Sequence, residues 1–224
     1  YQPIIDLETG EVVGAEALAR WISSQGIISP LEFIPLAEDS GLISDIGRQI
    51  LFKTCQDASS AIESGMWSRD FAIHVNLSVD QLTQKDFLSD VQFILDKTQL
   101  SPRNLTLEIT ESRIVDNDPM IIENMMALKQ LGISIAIDDF GTGYSSLAYL
   151  HKLPFDCLKI DRSFVDKLEA DNLDSSIVAA IVNITKGFKV NLVAEGVETP
   201  QQAELLGQLQ CPQAQGFLYS RPVP

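Results

Sequence analysis

The chain has 224 residues, 45% of them hydrophobic, which suits one large domain with a substantial core. Lys+Arg 16 against Asp+Glu 31 leaves a net charge of −15 and a pI near 4.4, arguing against DNA, RNA or a membrane surface as the partner of this domain. No run of about 18 apolar residues marks a membrane span, and Cys55, Cys157 and Cys211, far apart and odd in number, read as free thiols of a reducing, cytoplasmic compartment. The chain opens at Tyr1, almost inside a strand, and reads as a domain cut from a longer protein whose other parts are free to carry a membrane anchor.

Residues 1–7 and 11–21 flank the turn tripeptide Glu8-Thr9-Gly10 and predict an opening antiparallel pair. Ser29-Pro30 ahead of Leu31, Phe33, Ile34 and Ala37 predicts a capped helix that Gly41 ends. A longer amphipathic helix follows over 43–63, and further helices are predicted at 87–97, 118–131, 145–150, 173–188 and 200–209. Between them lie apolar runs with a two-residue rhythm, each closing on a polar residue. Six such runs end at Glu16, Asn76, Glu108, Asp138-Asp139, Asp161 and Glu195. Strand and helix alternate, so the strands are parallel. Without a linker, repeat or low-complexity tract, residues 1–224 read as one domain.

Side-chain parity carries the argument to a barrel. In the last four runs the residues in phase with the terminal polar group are small or polar: Thr106; Ser134 and Ala136; Cys157 and Lys159; Asn191 and Val193. The opposite phase is aliphatic. Such strands suit a parallel barrel wrapped in helices, whose chemistry sits at the carboxyl ends of the strands. One acidic residue at a strand end is ordinarily a solvated loop group or a helix cap. Six at equivalent positions converge on one mouth, and converging carboxylates stay ionised only around cations. The all-oxygen set Glu16, Asn76, Glu108, Asp138, Asp139 and Glu195 favours Mg²⁺ or Mn²⁺. Two scattered histidines, His74 and His151, do not make a zinc site. Adjacent Asp138 and Asp139 can serve two neighbouring ions, an arrangement suited to phosphodiester hydrolysis. Lys159 and Asp161 share a strand face, which places the lysine to polarise a water and the aspartate to take its proton. His74 lies two residues deeper than Asn76 and reads as a satisfied core histidine. The segment Phe140-Gly141-Thr142-Gly143-Tyr144-Ser145-Ser146 is either a turn into a helix capped by Ser145 or a loop that gates the site.

These residues resemble the EAL domains, cyclic-di-GMP phosphodiesterases of bacterial signalling. The namesake is Glu16-Ala17-Leu18 within Gly14-Ala15-Glu16-Ala17-Leu18-Ala19-Arg20-Trp21. The other blocks follow in the family's order: Tyr1-Gln2-Pro3, Asn76-Leu77-Ser78, Leu107-Glu108-Ile109-Thr110-Glu111, Asp138 to Leu147, Leu158-Lys159-Ile160-Asp161-Arg162-Ser163-Phe164-Val165, Ala194-Glu195-Gly196-Val197-Glu198 and Gln215-Gly216-Phe217. The chain departs from the family's usual pattern at Ile22-Ser23-Ser24-Gln25 and at Gln210-Cys211-Pro212-Gln213, away from the metal and water positions.

The resemblance implies a modified TIM (β/α)₈ barrel with an antiparallel first strand. It implies hydrolysis of cyclic di-GMP to linear 5'-pGpG with two Mg²⁺ or Mn²⁺ ions, in a homodimer. Glu16, Asn76, Glu108 and Asp138 would hold one ion, Asp139 and Asp161 the second, and Glu195 a metal or its water. Lys159, Asp161 and Glu195 would carry catalysis, with Lys159 on the attacking water. Gln2, Arg20, Gln215 and Glu198 would line or support the substrate site, and Glu111 would steady the Gly-rich loop. Two other readings stand beside an active enzyme. One is a catalytically weak cyclic-di-GMP receptor or scaffold, which loss of ligand residues would favour. The other is an enolase-like barrel that uses lysine and metal to take a proton beside a carboxylate; the tandem aspartates disfavour it.

Overall fold

The computed structural model describes residues 1–24, 26–111, 119–143, 150–168 and 174–224, and for 174–176 the backbone only. Eight strands close into a barrel: β1 (Gln2–Asp6), β2 (Val12–Ala17), β5 (Ala72–Asn76), β6 (Leu105–Thr110), β7 (Ser134–Phe140), β8 (Cys157–Ile160), β9 (Asn191–Ala194) and β10 (Gln213–Ala214). Around the barrel the order is β1-β10-β9-β8-β7-β6-β5-β2. Strand β1 runs antiparallel to both neighbours, and every other adjacent pair is parallel. This is the TIM-like barrel with a reversed first strand that the sequence predicts.

Helices α1 (Pro30–Asp39), α2 (Ile43–Glu63), α4 (Phe87–Thr98), α5 (Pro119–Gln130), α7 (Asp174–Phe188) and α8 (Pro200–Gln208) fall within a residue or two of their predicted spans wherever they are described. The predicted helix at 145–150 and the starts of two others fall mostly on residues outside the described set. Ser29 caps α1 by accepting from Leu31 N, with Pro30 at its first turn.

One strand is shorter than the sequence predicts, and a hairpin and two short helices are added. The strand predicted over 11–21 ends at Ala17, because β1 begins opposite Glu16 and β5 ends one residue past Ala17's partner Val75. Residues 18–20 therefore have no ladder to join. Trp21 instead opens a separate hairpin of β3 (Trp21–Ser23) and β4 (Gly26–Ile28), and its ring meets Phe33 edge-on at 5.9 Å. Two one-turn helices, α3 (Val79–Leu82) and α6 (Arg162–Val165), are too short to show a 3.6-residue period. Their caps are their only signal: a Ser78/Gln81 capping box, and Asp161 accepting from Ser163 N.

The core has two shells. The outward phase of the strands (Ile73, Val75, Leu107, Ile109, Ile135, Ile137, Leu158, Ile160 and Leu192) packs against Leu51, Cys55, Val91, Ile94, Met125, Leu128, Val182 and Leu206 of the helices. Each such Leu or Ile contributes about 1.5–3 kcal/mol on burial, so this shell carries the fold's stability. The inner shell is a small apolar plug of Ile4, Ala136, Cys157 and Val193, with Val13 against it. Above that plug the interior turns polar. The three cysteines are free and buried. Among the described residues no helix is long and apolar enough to cross a membrane.

Candidate active site

Lys159 occupies the centre of the polar layer and is completely buried. Its Nζ lies 2.6 Å from Glu195 Oε1, 2.8 Å from Glu108 Oε2, 3.3 Å from Glu16 Oε2 and 3.4 Å from Asp138 Oδ1. These carboxylates come from β2, β6, β7 and the residue after β9. Barrel closure thus gathers strand ends up to 179 residues apart in sequence (Glu16 to Glu195) around one ammonium group.

Glu16 is the most fully partnered member. Asn76 Nδ2 donates to its Oε1 at 2.7 Å, and Gln215 Nε2 donates to its Oε2 at 2.8 Å. Gln215 Nε2 also reaches Gln2 Oε1 at 3.0 Å, and Gln2 Nε2 donates to the Ser220 carbonyl at 3.1 Å. The two glutamines therefore tie Glu16 to the C-terminal segment. Glu108 is held from both sides, by Lys159 on Oε2 and by His74 Nδ1 at 2.8 Å from Oε1. The partner that satisfies His74 is thus a carboxylate of the site.

Asp138 and Asp139 break the strand alternation. The pairing of β7 with β8 shifts between Ile137 and Phe140, and Asp139 adopts φ 54°. A bulge of this kind re-aims side chains at the end of a strand. Phe140 returns to the outer shell opposite Ile160, and Asp138, Asp139 and Glu195 offer oxygens that all lie within 4.8 Å of one another. Asp138 Oδ1 is buried and accepts no hydrogen bond. A buried oxygen with no hydrogen bond and only the 3.4 Å ion-pair contact of Lys159, set in an all-oxygen cluster, fits a hard divalent cation.

The electrostatics reflect this crowding. Burial pushes Glu16 up, but Lys159 and the Gln215 and Asn76 hydrogen bonds outweigh it and hold the carboxyl down at about 2. Burial, with Asp138, Glu16 and Glu108 nearby, drives Glu195 up to about 8 against the pull of Lys159. Burial, then Asp138 and Asp161, raise Asp139 to about 6. Glu108 is raised well above the usual carboxylate range, first by burial and then by Glu16. Burial opposes the charge on Lys159, but Glu108, Glu16, Glu195 and Asp138 together keep it firmly protonated. His74 is pushed down to about 3 by burial and by Lys159, so its ring is neutral.

Around this centre lies a cavity of about 260 Å³ lined by Gln2, Glu16, Leu18, Asp138, Arg162, Glu195, Glu198, Gln215 and Phe217, among others. Arg162 pairs with Glu198 at 2.9 Å and with Asp166 at 2.9 Å. It lies over Gly196, where an added Cβ would sit 2.3 Å from Arg162 Cγ. Arg162 stands in a quoted motif but has no assigned role in the sequence reading. Arg20 does not line the cavity; it is exposed and donates to the Ala19 carbonyl at 2.8 Å. Asp161 lies just past the end of β8 and caps α6. Glu111 Oε2 accepts from Gly141 N at 2.8 Å and Gly143 N at 3.2 Å, pinning the start of the Gly-rich loop. Residues Tyr144 to Leu147 of that loop lie outside the described set.

A closed barrel with an acidic mouth at its strand ends, built around a buried lysine, is the form of a barrel enzyme with an oxygen-donor cation site. Residues 1–222 match the model of the EAL domain, and the chain belongs to that family. It is 41% identical, over its whole length, to the cyclic di-GMP phosphodiesterase NbdA of Pseudomonas aeruginosa, of which it covers 28%. It is 43% identical to the bifunctional diguanylate cyclase/cyclic di-GMP phosphodiesterase MucR of the same organism, covering 33%. A solved structure described as the PaMucR phosphodiesterase in complex with c-di-GMP superposes with a TM-score of 0.94 at 42% identity, covering 100% of this chain and 90% of that one. The FimX EAL domain of Xanthomonas citri, 17% identical with a TM-score of 0.90, shares the fold. The chain spans 27% to 36% of the length of the curated relatives it matches.

Proposed function

We propose that this domain is an active, divalent-metal-dependent phosphodiesterase that hydrolyses cyclic di-GMP to linear pGpG. The observation that carries the reading is the cluster at one mouth: Glu16, Glu108, Asp138 and Glu195 around Lys159, Asn76 on Glu16, and Asp139 beside Asp138 and Glu195, with Asp161 close enough to Asp139 to act on its charge. A receptor that had lost catalysis would be expected to lack some of these. Membership of the EAL family and likeness to relatives named as phosphodiesterases support the substrate.

In this reading Glu16, Asn76, Glu108 and Asp138 hold one Mg²⁺ or Mn²⁺, Asp139 and Asp161 a second, and Glu195 completes the shells. Asn76 spends its Nδ2 on Glu16 and keeps its Oδ1 as a donor atom. When bound, such ions activate a water and neutralise the charge of phosphodiester cleavage. The chain's own groups do the rest. Lys159 stays cationic, donates to the attacking water and offsets the carboxylates around it, while Asp161 is assigned to receive the water's proton. The buried chain Glu16–Gln215–Gln2 fixes the floor of the cavity, and Arg162 brings cationic charge to its rim for the substrate's phosphates. Arg20, exposed and outside the lining, would have to swing in from its contact with the Ala19 carbonyl to reach them. Two copies are proposed to pair beside the Gly-rich loop.

Incubation of the purified domain with cyclic di-GMP and Mg²⁺, with chromatographic separation of the products, tests the reading. Linear pGpG is expected; binding without turnover would make the domain a receptor. Ca²⁺ is expected to bind and inhibit, because the larger ion holds its ligands longer and more loosely.

A further inference from the structure

We propose that His74 is a positioning residue for Glu108: its Nδ1–H fixes the carboxylate in the orientation that receives a divalent cation. The inference rests on the reading of Glu108 as a metal ligand. His74 is on β5 and Glu108 on the adjacent parallel strand β6, in a register that pairs His74 with Thr106 and Asn76 with Glu108. His74 thus sits one inward step below Glu108 and reaches up to it diagonally. Its Nδ1 is 2.8 Å from Glu108 Oε1, while Lys159 Nζ is 2.8 Å from Glu108 Oε2. One buried donor on each oxygen leaves the carboxylate no free rotation about its terminal torsion. Each oxygen still has a second lone pair for a cation.

The proton's place follows from the acceptor. A carboxylate that ligates a cation is ionised and only accepts, so Nδ1 must carry the hydrogen. The role needs a neutral donor and involves no change of charge on His74. Nor is the ring there to fill space. It is 5% exposed, on the inner face between its register partners Glu16 on β2 and Thr106 on β6, with the charges of Lys159, Glu16 and Asp138 acting on it. An aliphatic side chain of similar volume would fill the gap but leave Glu108 Oε1 without its donor. Groups that orient a metal ligand in this way typically matter about 10–100-fold for metal affinity.

The test compares two replacements. His74→Leu keeps the bulk and removes the donor; His74→Asn is smaller but places an amide N–H close to where Nδ1 lies. Mn²⁺ binding is measured on the substrate-free protein by calorimetry or electron paramagnetic resonance, with melting temperatures alongside. The expected result is a loss of about 10–100-fold in Mn²⁺ affinity for His74→Leu, recovery to within a few-fold for His74→Asn, and substantial recovery of kcat in His74→Leu at saturating metal. Unchanged Mn²⁺ affinity in folded His74→Leu overturns the proposal, and so do equal losses in both variants, since packing alone would then explain them. Should His74→Leu not fold, His74→Gln replaces it under the same expectation, because its amide reaches the far edge of the ring and not the Nδ1 position. Glu108→Gln serves as the reference. If it binds Mn²⁺ like the wild type, Glu108 is not a ligand and the reading of the site itself fails. If it weakens binding while His74→Leu does not, only the role of His74 falls.

Discussion

Asp138 and Asp139 are neighbours in sequence, yet both present carboxylates to the same cluster with Glu195. In a regular strand they would point to opposite faces. The left-handed backbone of Asp139, at φ 54° in the β7 bulge, makes the arrangement possible. Aspartate enters that region more readily than most residues. The position therefore asks for two properties at once, a backbone that accepts positive φ and a carboxylate. Asp139→Asn keeps the first and removes the second. Its melting temperature should stay at or above the wild-type value, because Asp139 sits in repulsion with Asp138 and Asp161. Its phosphodiesterase activity should drop by about 10²-fold or more. Asp139→Val should lose activity and also about 1–3 kcal/mol of stability, as a β-branched residue is strained there. Equal melting temperatures for the two variants would remove the claim of backbone strain.

Lys159 is proposed to serve the structure and the chemistry alike. Its buried ammonium balances four carboxylates, so Lys159→Met should destabilise the metal-free protein by about 3–5 kcal/mol, the usual cost of uncompensated buried charge. Saturating Mg²⁺ should restore part of that stability by supplying positive charge to the same oxygens. At saturating metal the turnover should remain about 10²–10³-fold down, with cyclic di-GMP affinity nearly retained. A fall in affinity that matches the fall in rate would recast the lysine as a phosphate clamp.

How much of this was legible beforehand follows from the physics of each signal. A period of two, with small or polar inner positions at Thr106, Ala136 and Cys157, is a direct consequence of strands facing a barrel interior, and the strand ends followed from it. The helices α2 and α4 are long enough for their period to show. The bulge at Asp139 was not legible, because parity alone sends Asp139 outward and only the shifted pairing with β8 turns it in. The His74–Glu108 contact was missed for a related reason. It runs diagonally between two strands, and a single strand's pattern says nothing about its neighbour's register. Arg20 lies between the end of β2 and the hairpin β3–β4, whose three-residue strands are too short to announce themselves.

The raised carboxyls predict how metal binding responds to pH. Glu195 sits at about 8 and Asp139 at about 6, both above their ordinary values. A cation requires them ionised, so loading the site near neutral pH should release protons, and apparent Mn²⁺ affinity should tighten as pH rises from about 5.5 to about 8.5. The stability of the metal-free protein runs the other way. A carboxyl raised on folding stabilises fully below its unfolded value and loses that contribution as pH climbs through the folded one. Glu16 and His74 are lowered, so their contributions change only below about 4.5 and about 6.5 respectively, their ordinary values. Between about 6.5 and 8 the metal-free melting temperature should therefore decline through Glu195 and Glu108, both raised on folding, while the Mn²⁺-saturated protein stays level. Calorimetry in buffers of different ionisation enthalpy counts the protons; a count of zero at pH 7 would contradict the assignment.

Glu111 couples the loop to the cluster. It follows the last residue of β6, and its Oε2 holds the backbone N–H of both Gly141 and Gly143. Gly141 is irreplaceable in this conformation: its φ is 99°, and an added Cβ would lie 2.6 Å from the Phe164 ring. Asp139 stands two residues before the pinned glycine, so releasing the loop should let its carboxylate drift from Asp138 and Glu195 without removing any cluster oxygen. Glu111→Ala should then raise the Mg²⁺ concentration for half-maximal activity by about tenfold, in keeping with the effect of groups that orient metal ligands. Glu111→Gln, which keeps an acceptor for the two N–H groups, should recover most of that loss. A homodimer that places residues 140–147 against the partner subunit would act through the same contact, since pressure on the loop biases the position of Asp139. Light-scattering masses taken alongside the Mg²⁺ titrations separate the two ideas. A dimer whose dissociation on dilution weakens metal-dependent activity supports the coupling. A strict monomer with full activity rules out a role for assembly, and an unchanged titration in Glu111→Ala shows that the loop does not govern the aspartate at all.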